Sequence, residues 1–340
     1  MEIAFALFSV LISQEPSTLK GRSLLNPDIS AIGNIVNQTI LQNKIKNEFF
    51  IKEFEFAFQG YLYPSIRADI FLATHGPEFG DVHEHGEEET HIGVNLEEAY
   101  VSLLNIWGGF SGKVGRKFIE FGKFNPLHPE QWLYVDPPKV IQNIFGAENL
   151  VGDGGQIEFL LPLPFLLKIQ GGIFRNSEGP FQDIFYSSRA FSSFGISDFE
   201  VSFGASYVGG KTEKELSNFI GGDITLNYIK GYTKLTFISE PIFSIDEKSK
   251  FAGFYSSLFY STGRFQVGFR IDGAKPDEEI EDEHTRNKIS FGISPIFAFL
   301  LTETTKIRFQ YSFFASDKPK HTVFFQLLFG LGPHSHVLQF

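Results

Sequence analysis

The chain has 340 residues, with 41 Phe, 11 Tyr and 33 Gly but one Met and no Cys. A formal net charge of −11 argues against nucleic acid as the partner, and the absence of Cys excludes a disulfide framework or a thiolate metal site. No run of 18 apolar residues follows the N-terminus, which excludes membrane-spanning helices. Abundant Phe at a mean hydropathy of −0.04 is what sheets with one apolar face produce. A soluble β-sandwich would alternate too, but with shorter strands and its apolar positions shared among Val, Ile and Leu.

Residues 1–13, MEIAFALFSVLIS, resemble the apolar core of a secretory signal, with cleavage expected near Ser13–Gln14, although Glu2 stands where a basic leader would. A polar lead over 14–27 precedes a strand predicted at 28–36, then the connection QTILQNKIKN and a strand at 48–59. There Phe54, Phe56 and Phe58 share one face, with Glu53, Glu55 and Gln59 on the other. A turn at Pro64 leads to 66–74, where Ile66, Ala68, Ile70 and Leu72 alternate with Arg67 and Asp69. Residues 75–93 form an acidic, His-containing loop, and strands follow at 94–104 and 111–118 across a WGGF turn.

Residues 121–154 break the rhythm. Pro126, Pro129, Pro137 and Pro138 argue against helix through the middle, and the apolar content argues against disorder. A connection of that length predicts an ordered, functional loop packed inside a β structure. Beyond it, strands are expected at 155–161, 166–175, 188–195, 199–208, 219–229, 232–239, 251–261, 264–273, 288–298, 305–314 and 321–329. Alternation is poorest at 251–261 and clearest late, where Phe265, Val267, Phe269 and Ile271 oppose Arg264, Gln266, Arg270 and Asp272.

These sixteen strands are joined by short turns alternating with long polar loops. An even strand number with that asymmetry describes an all-β fold, a transmembrane antiparallel β-barrel over 28–331 with a short tail at 332–340. A closed barrel leaves no edge, so every strand amide is paired even in lipid. Phenylalanine then faces hydrocarbon, and charged residues face a water-filled lumen.

On this register the 121–154 loop is the third long one. Here the chain resembles bacterial outer-membrane porins of sixteen strands, in which the third long loop folds inward and narrows the lumen. KVGRKFIEFGKFN looks like the strand-and-loop segment of phosphate-selective porins. GKFNPLHPEQW and the tail LLFGLGPHSH resemble a porin-like set labelled zinc-regulated outer-membrane receptors. The resemblance implies a passive diffusion channel for small hydrophilic solutes or ions in a Gram-negative outer membrane. It also implies contact with lipid and lipopolysaccharide, and a homotrimer.

The expected pore-lining charges fall into two groups. Early strands contribute Glu53, Glu55, Asp69, Glu98 and Glu158 with Arg67, Lys113 and Lys168; later strands contribute Lys234, Arg264, Arg270, Lys288, Lys306 and Arg308 with Asp272. The loop adds Glu120, Glu130, Asp136 and Glu148. An acid-rich wall facing a base-rich wall would set up a transverse field; the alternative is that inward charges pair locally. His75, His83, His85 and His91 lie among Glu78, Asp81, Glu84 and Glu87–Glu89, a set suited to Zn, Ni or Cu. That suggests a zinc-responsive or divalent-cation uptake channel as the alternative function, against a merely solvated acidic loop. No other cofactor is expected. Catalysis is not expected either: G-x-S-x-G, P-loop and H-E-x-x-H motifs are absent, and His128 has only Glu130 near it in sequence.

Overall fold

The structure, a computed structural model, describes residues 27–42, 44–76, 93–146, 149–175, 180–212, 216–245, 252–274, 289–315 and 319–333. Sixteen strands run in chain order: β1 Asp28–Leu41, β2 Ile45–Tyr63, β3 Ile66–His75, β4 Asn95–Trp107, β5 Phe110–Phe118, β6 Val151–Leu160, β7 Leu166–Arg175 and β8 Ile184–Ile196 form the first half. The second half is β9 Phe199–Lys211, β10 Leu216–Lys230, β11 Thr233–Ser244, β12 Ala252–Thr262, β13 Phe265–Ala274, β14 Ser290–Thr302, β15 Thr305–Ala315 and β16 Lys320–Leu331. Each pairs antiparallel with its sequence neighbours, and β16 returns to β1, from Ala31 opposite Leu331 to Leu41 opposite His321. The barrel is closed, as the strand count predicted.

Two boundaries differ instructively from expectation. Strand β1 continues to Leu41 through residues read as a connection, because Val36 and Ile40 turn inward and are buried. Strand β6 starts at Val151, so the last four residues of the expected loop belong to the wall. Gly152 can occupy that position because a Cβ there would press on Phe174 and Phe185. The loop itself is 119–150.

The expected inversion of inside and outside is present along the strands. On β13, Phe265, Val267 and Phe269 are 52%, 53% and 38% exposed, while Gln266 and Arg270 on the opposite face are buried. Polar side chains inside a barrel with apolar ones outside are the pattern of a sheet solvated by lipid. Among the described residues no helix is long and apolar enough to cross a membrane; the strands provide the crossing.

Two irregularities break the period of two in the early wall. Between β1 and β2 the register shifts so that Asn34 faces Glu53 and Ile35 faces Ile51, leaving Lys52 as the extra residue. Between β3 and β4, Phe71 faces Glu98 and Leu72 faces Leu96, leaving Glu97 extra. An extra residue lets two consecutive side chains share a face. Lys52 and Glu53 are accordingly both buried, and so are Glu97 and Glu98.

The loop between β5 and β6 occupies the lumen. Phe121, Phe124, Trp132, Tyr134 and Phe145 join one buried apolar cluster with wall residues that include Tyr255 and Phe259. After a 3-10 turn at Pro129–Gln131, Pro137 and Pro138 lead into α1, Lys139–Phe145, which buries Val140, Ile141, Ile144 and Phe145. Asn125 closes the neck: its amide nitrogen donates to the carbonyls of Ile119 (2.7 Å) and Leu150 (3.1 Å), and its oxygen accepts from the Leu150 N–H (2.7 Å).

Candidate functional site: the loop-filled lumen

The loop is pinned to the wall by side chains that reach inward from strands around the barrel. Glu240 on β11 accepts the Lys123 and Phe124 N–H groups at 3.0 and 3.2 Å and the Tyr255 hydroxyl at 2.9 Å. Gly122 donates to Ser206 on β9, whose hydroxyl is held by Arg189 of β8, itself paired with Asp223 of β10 at 2.6 Å. The Tyr134 hydroxyl meets Ser257 of β12 at 2.8 Å. On β13, Arg270 donates to the Asp136 carbonyl (2.7 Å) and carboxylate (3.1 Å) and to Asp272 (2.7 Å), whose other oxygen accepts the Lys139 N–H at 3.0 Å. On β15, Arg308 donates to the carbonyls of Tyr134 (2.7 Å) and Trp132 (2.6 Å), and Gln310 accepts the Val135 N–H and donates to Asp136.

The opposite wall holds the acidic pocket. Glu55 on β2, Glu97 and Glu98 on β4, and Glu130 in the loop surround His128. Its Nδ1 lies 2.8 Å from Glu55 Oε2 and 3.5 Å from Glu97 Oε2, and its Nε2 lies 2.9 Å from Glu98 Oε2. Glu98 is held in turn by the Phe118 N–H at 2.6 Å. The rings of Phe71 and Phe118 each stand 4.8 Å from the imidazole. Burial works against the charged imidazole, but Glu55, Glu97 and Glu98 outweigh it and hold His128 well above its ordinary pKa. Burial, then the Glu55 charge, pushes Glu130 up to about 8.

His128 therefore meets three further glutamates besides Glu130, which corrects the expectation that only Glu130 would be near it. Separations of 30 residues and more hid this from sequence reasoning. Glu97 was missed for a related reason: strict alternation puts it outside, and only the irregularity in β4 turns it inward. Glu240, Arg189 and Asp223 were also not singled out, although each is a lone charge within an otherwise uncharged strand core.

The remaining expected residues fall into distinct places. Arg67 pairs with Asp69 at 2.8 Å, and Glu120 gathers Lys117, Lys168 and Lys113 at 3.2, 3.3 and 3.7 Å. Lys168 also meets Glu158 at 3.6 Å. Glu53 and Lys306 are buried. Arg264 is the exception: it belongs to the turn before β13, is exposed, and donates to the Leu301 carbonyl at 3.4 Å. The expected strand began one residue too early, because the turn at Thr262–Gly263 extends to include it. His75 ends β3 opposite Glu53. Lys288, Glu148, His83, His85 and His91 lie outside the described residues.

Two spaces flank the loop. A cavity of about 260 Å³ lined by Lys123, Gln131, Tyr134, Asn227 and Lys234 opens toward the short-turn end of the barrel. A smaller one of about 40 Å³, beside Asp136, Lys139 and Lys320, lies toward the long-loop end.

Solved structures share this architecture. Salmonella typhi OmpF in complex with daunomycin superposes with a TM-score of 0.61 at 8% identity, covering 90% of this chain and 97% of its own. Pseudomonas putida OprB at high pH gives 0.64 at 8% identity, covering 90% and 94%. Pseudomonas aeruginosa OccK11 gives 0.54 at 10% identity, covering 92% and 100%. The fold is porin-like. No protein-family model matches the chain. An uncharacterised protein of Aquifex aeolicus (strain VF5) is 24% identical over 301 residues, which is 72% of this chain. The chain spans 63% of that relative's length.

Proposed function

We propose that the protein is an outer-membrane diffusion channel that passes small hydrophilic solutes or ions through a lumen narrowed by residues 119–150. The observation that carries this reading is the ordered loop inside a closed barrel whose outer face is apolar and whose inner face is polar. A barrel built only to decorate a surface has no need of a loop tethered from so many sides of its interior. The porin-like fold supports the reading, as does a polar cavity on each side of the loop. Solute choice would then be set by cross-section and by the charged groups at the two mouths, with Lys123 and Lys234 at one and Lys139, Lys320 and Asp136 at the other.

The test is planar-bilayer recording with the full chain, paired with swelling of vesicles loaded with sugars of graded size. Discrete conductance steps with a sharp size cut-off are expected. A tight bilayer and no swelling would mean a sealed barrel with a structural or adhesive role.

A further inference from the structure

The acidic pocket is organised beyond what holding a loop requires. Glu97 faces inward only because of the irregularity in β4, and there its carboxylate joins two groups of three at once. In one, the ligand atoms of Glu55, Glu97 and His128 all lie within 4.8 Å of one another; in the other, those of Glu53, His75 and Glu97 do. Glu97 is thus shared between a site at the end of β3 and a deeper one against the loop. Glu53 is 2% exposed and its Oε1 has no hydrogen-bond partner among the described residues. A buried carboxylate oxygen without a donor is costly unless it takes up a proton or a cation completes it, and here the neighbouring imidazole and carboxylate ligand atoms are placed for a cation.

The histidine is also oriented as a ligand. Its Nδ1 faces Glu55 and Glu97, while Nε2 faces Glu98, which the Phe118 N–H fixes from behind. In metal sites the ligating imidazole donates its other N–H to a carboxylate, which sets tautomer and ring angle. Phe71 and Phe118 restrict the ring further.

We propose that Glu55, Glu97 and His128 bind one first-row divalent cation, Zn²⁺ by preference, which clasps the inward loop to the β2–β4 wall. One imidazole and two carboxylates suit such an ion better than Ca²⁺ or Mg²⁺, which favour all-oxygen shells. Binding replaces the Nδ1 proton of His128 with the metal, and the proton leaves to solvent. Glu98 is a positioning residue. His75 and Glu53 form the approach from the β3 end, and Glu97 passes the ion inward. The proposal does not rest on conduction, since a sealed barrel would carry the same site.

The experiment uses the full chain in detergent, with ZnCl₂ as the probe. The parent carries His83, His85, His91, His284, His334 and His336 replaced by Ala, which removes the imidazoles of the acidic segments and the tail. After dialysis against zinc with millimolar CaCl₂, the parent should retain one zinc per chain. X-ray absorption should show a single imidazole with oxygen neighbours, the nitrogen at about 2.0–2.1 Å. Added to the parent, H128Q or E97Q should abolish retention, and E98Q should weaken affinity about 10- to 100-fold. Folding is checked by the mobility difference between heated and unheated samples on gels. If H128Q does not fold, E98Q and the parent's absorption spectrum still decide. No zinc on the parent, displacement by calcium, several imidazoles in the shell, or unchanged affinity in E98Q would each overturn the assignment.

Discussion

Replacing Arg308 with Met tests whether the wall sets how long the loop stays docked. The guanidinium donates to two loop carbonyls, Trp132 at 2.6 Å and Tyr134 at 2.7 Å, and to Gln326 on the wall at 2.8 Å. Hydrogen bonds to a charged partner contribute about 1.5–3 kcal/mol each, so the two that reach the loop supply about 3–6 kcal/mol. Lumen water can rehydrate the freed carbonyls, which favours the lower end. At about 1.4 kcal/mol per decade, a loss of about 3 kcal/mol shifts the docked-to-released ratio roughly a hundredfold. Single-channel recording would register this as a new or much more frequent high-conductance state. Arg308→Lys separates charge from geometry: the ammonium keeps the charge but not the planar fork. It should gate nearly like the Met variant while leaving the reversal potential unchanged. A Met variant with wild-type dwell times, or a Lys variant that gates normally, would refute the tether.

Deleting 126–145 should raise unitary conductance, and an unchanged value would place the loop outside the conduction path. Gly122→Ala combines a left-handed φ of +63° with a methyl directed into the Glu240 carboxylate. The φ alone costs about 1–2 kcal/mol, so increased proteolysis within the loop is expected; native resistance would argue against that close approach. Phe269→Arg puts a charge on the lipid face at mid-strand and should cost about 2–4 kcal/mol in refolding titrations into vesicles, whereas a neutral effect would contradict the outward assignment. Burial disfavours the ionised form of Glu120, but Lys117, Lys168 and Lys113 outweigh it and hold its pKa well below the ordinary range. A depressed folded pKa contributes stability that is complete above the unfolded value and is lost progressively as pH falls through the folded one, whereas the charge of the folded protein changes only at the folded value. Ion selectivity traceable by Glu120→Gln should therefore stay flat through the ordinary carboxylate range and turn toward anions only below it. A transition inside that range would refute the cluster.

The wall was legible because lipid and water impose a period of two on each strand. Phe265, Val267 and Phe269 announce β13 without help from any distant residue. Legibility fell where the lumen holds protein instead of water. Strand β12 alternates poorly because Tyr255 and Phe259 face inward, 1% and 0% exposed, to pack on the loop residues Phe124 and Tyr134. The same reason explains Val36 of β1, which clusters with the loop residue Val135. Charges such as Arg270 and Arg308 could be placed on the inner face by parity, but parity says nothing of what they meet. Both turned out to grip backbone or carboxylates of the loop. The His128 pocket was least legible of all, since it needs the departure from parity at Glu97 and partners drawn from β2, β4 and the loop.

The seam between β1 and β16 bears on how such a chain is made. The seam's second half is the last strand of the sheet, so no fragment lacking it can hide both of its raw borders from the bilayer. Premature termination anywhere upstream leaves an open curl with two unsatisfied rims rather than a smaller working pore. Closure is thus conditional on the last strand, and only the whole sheet pairs every edge.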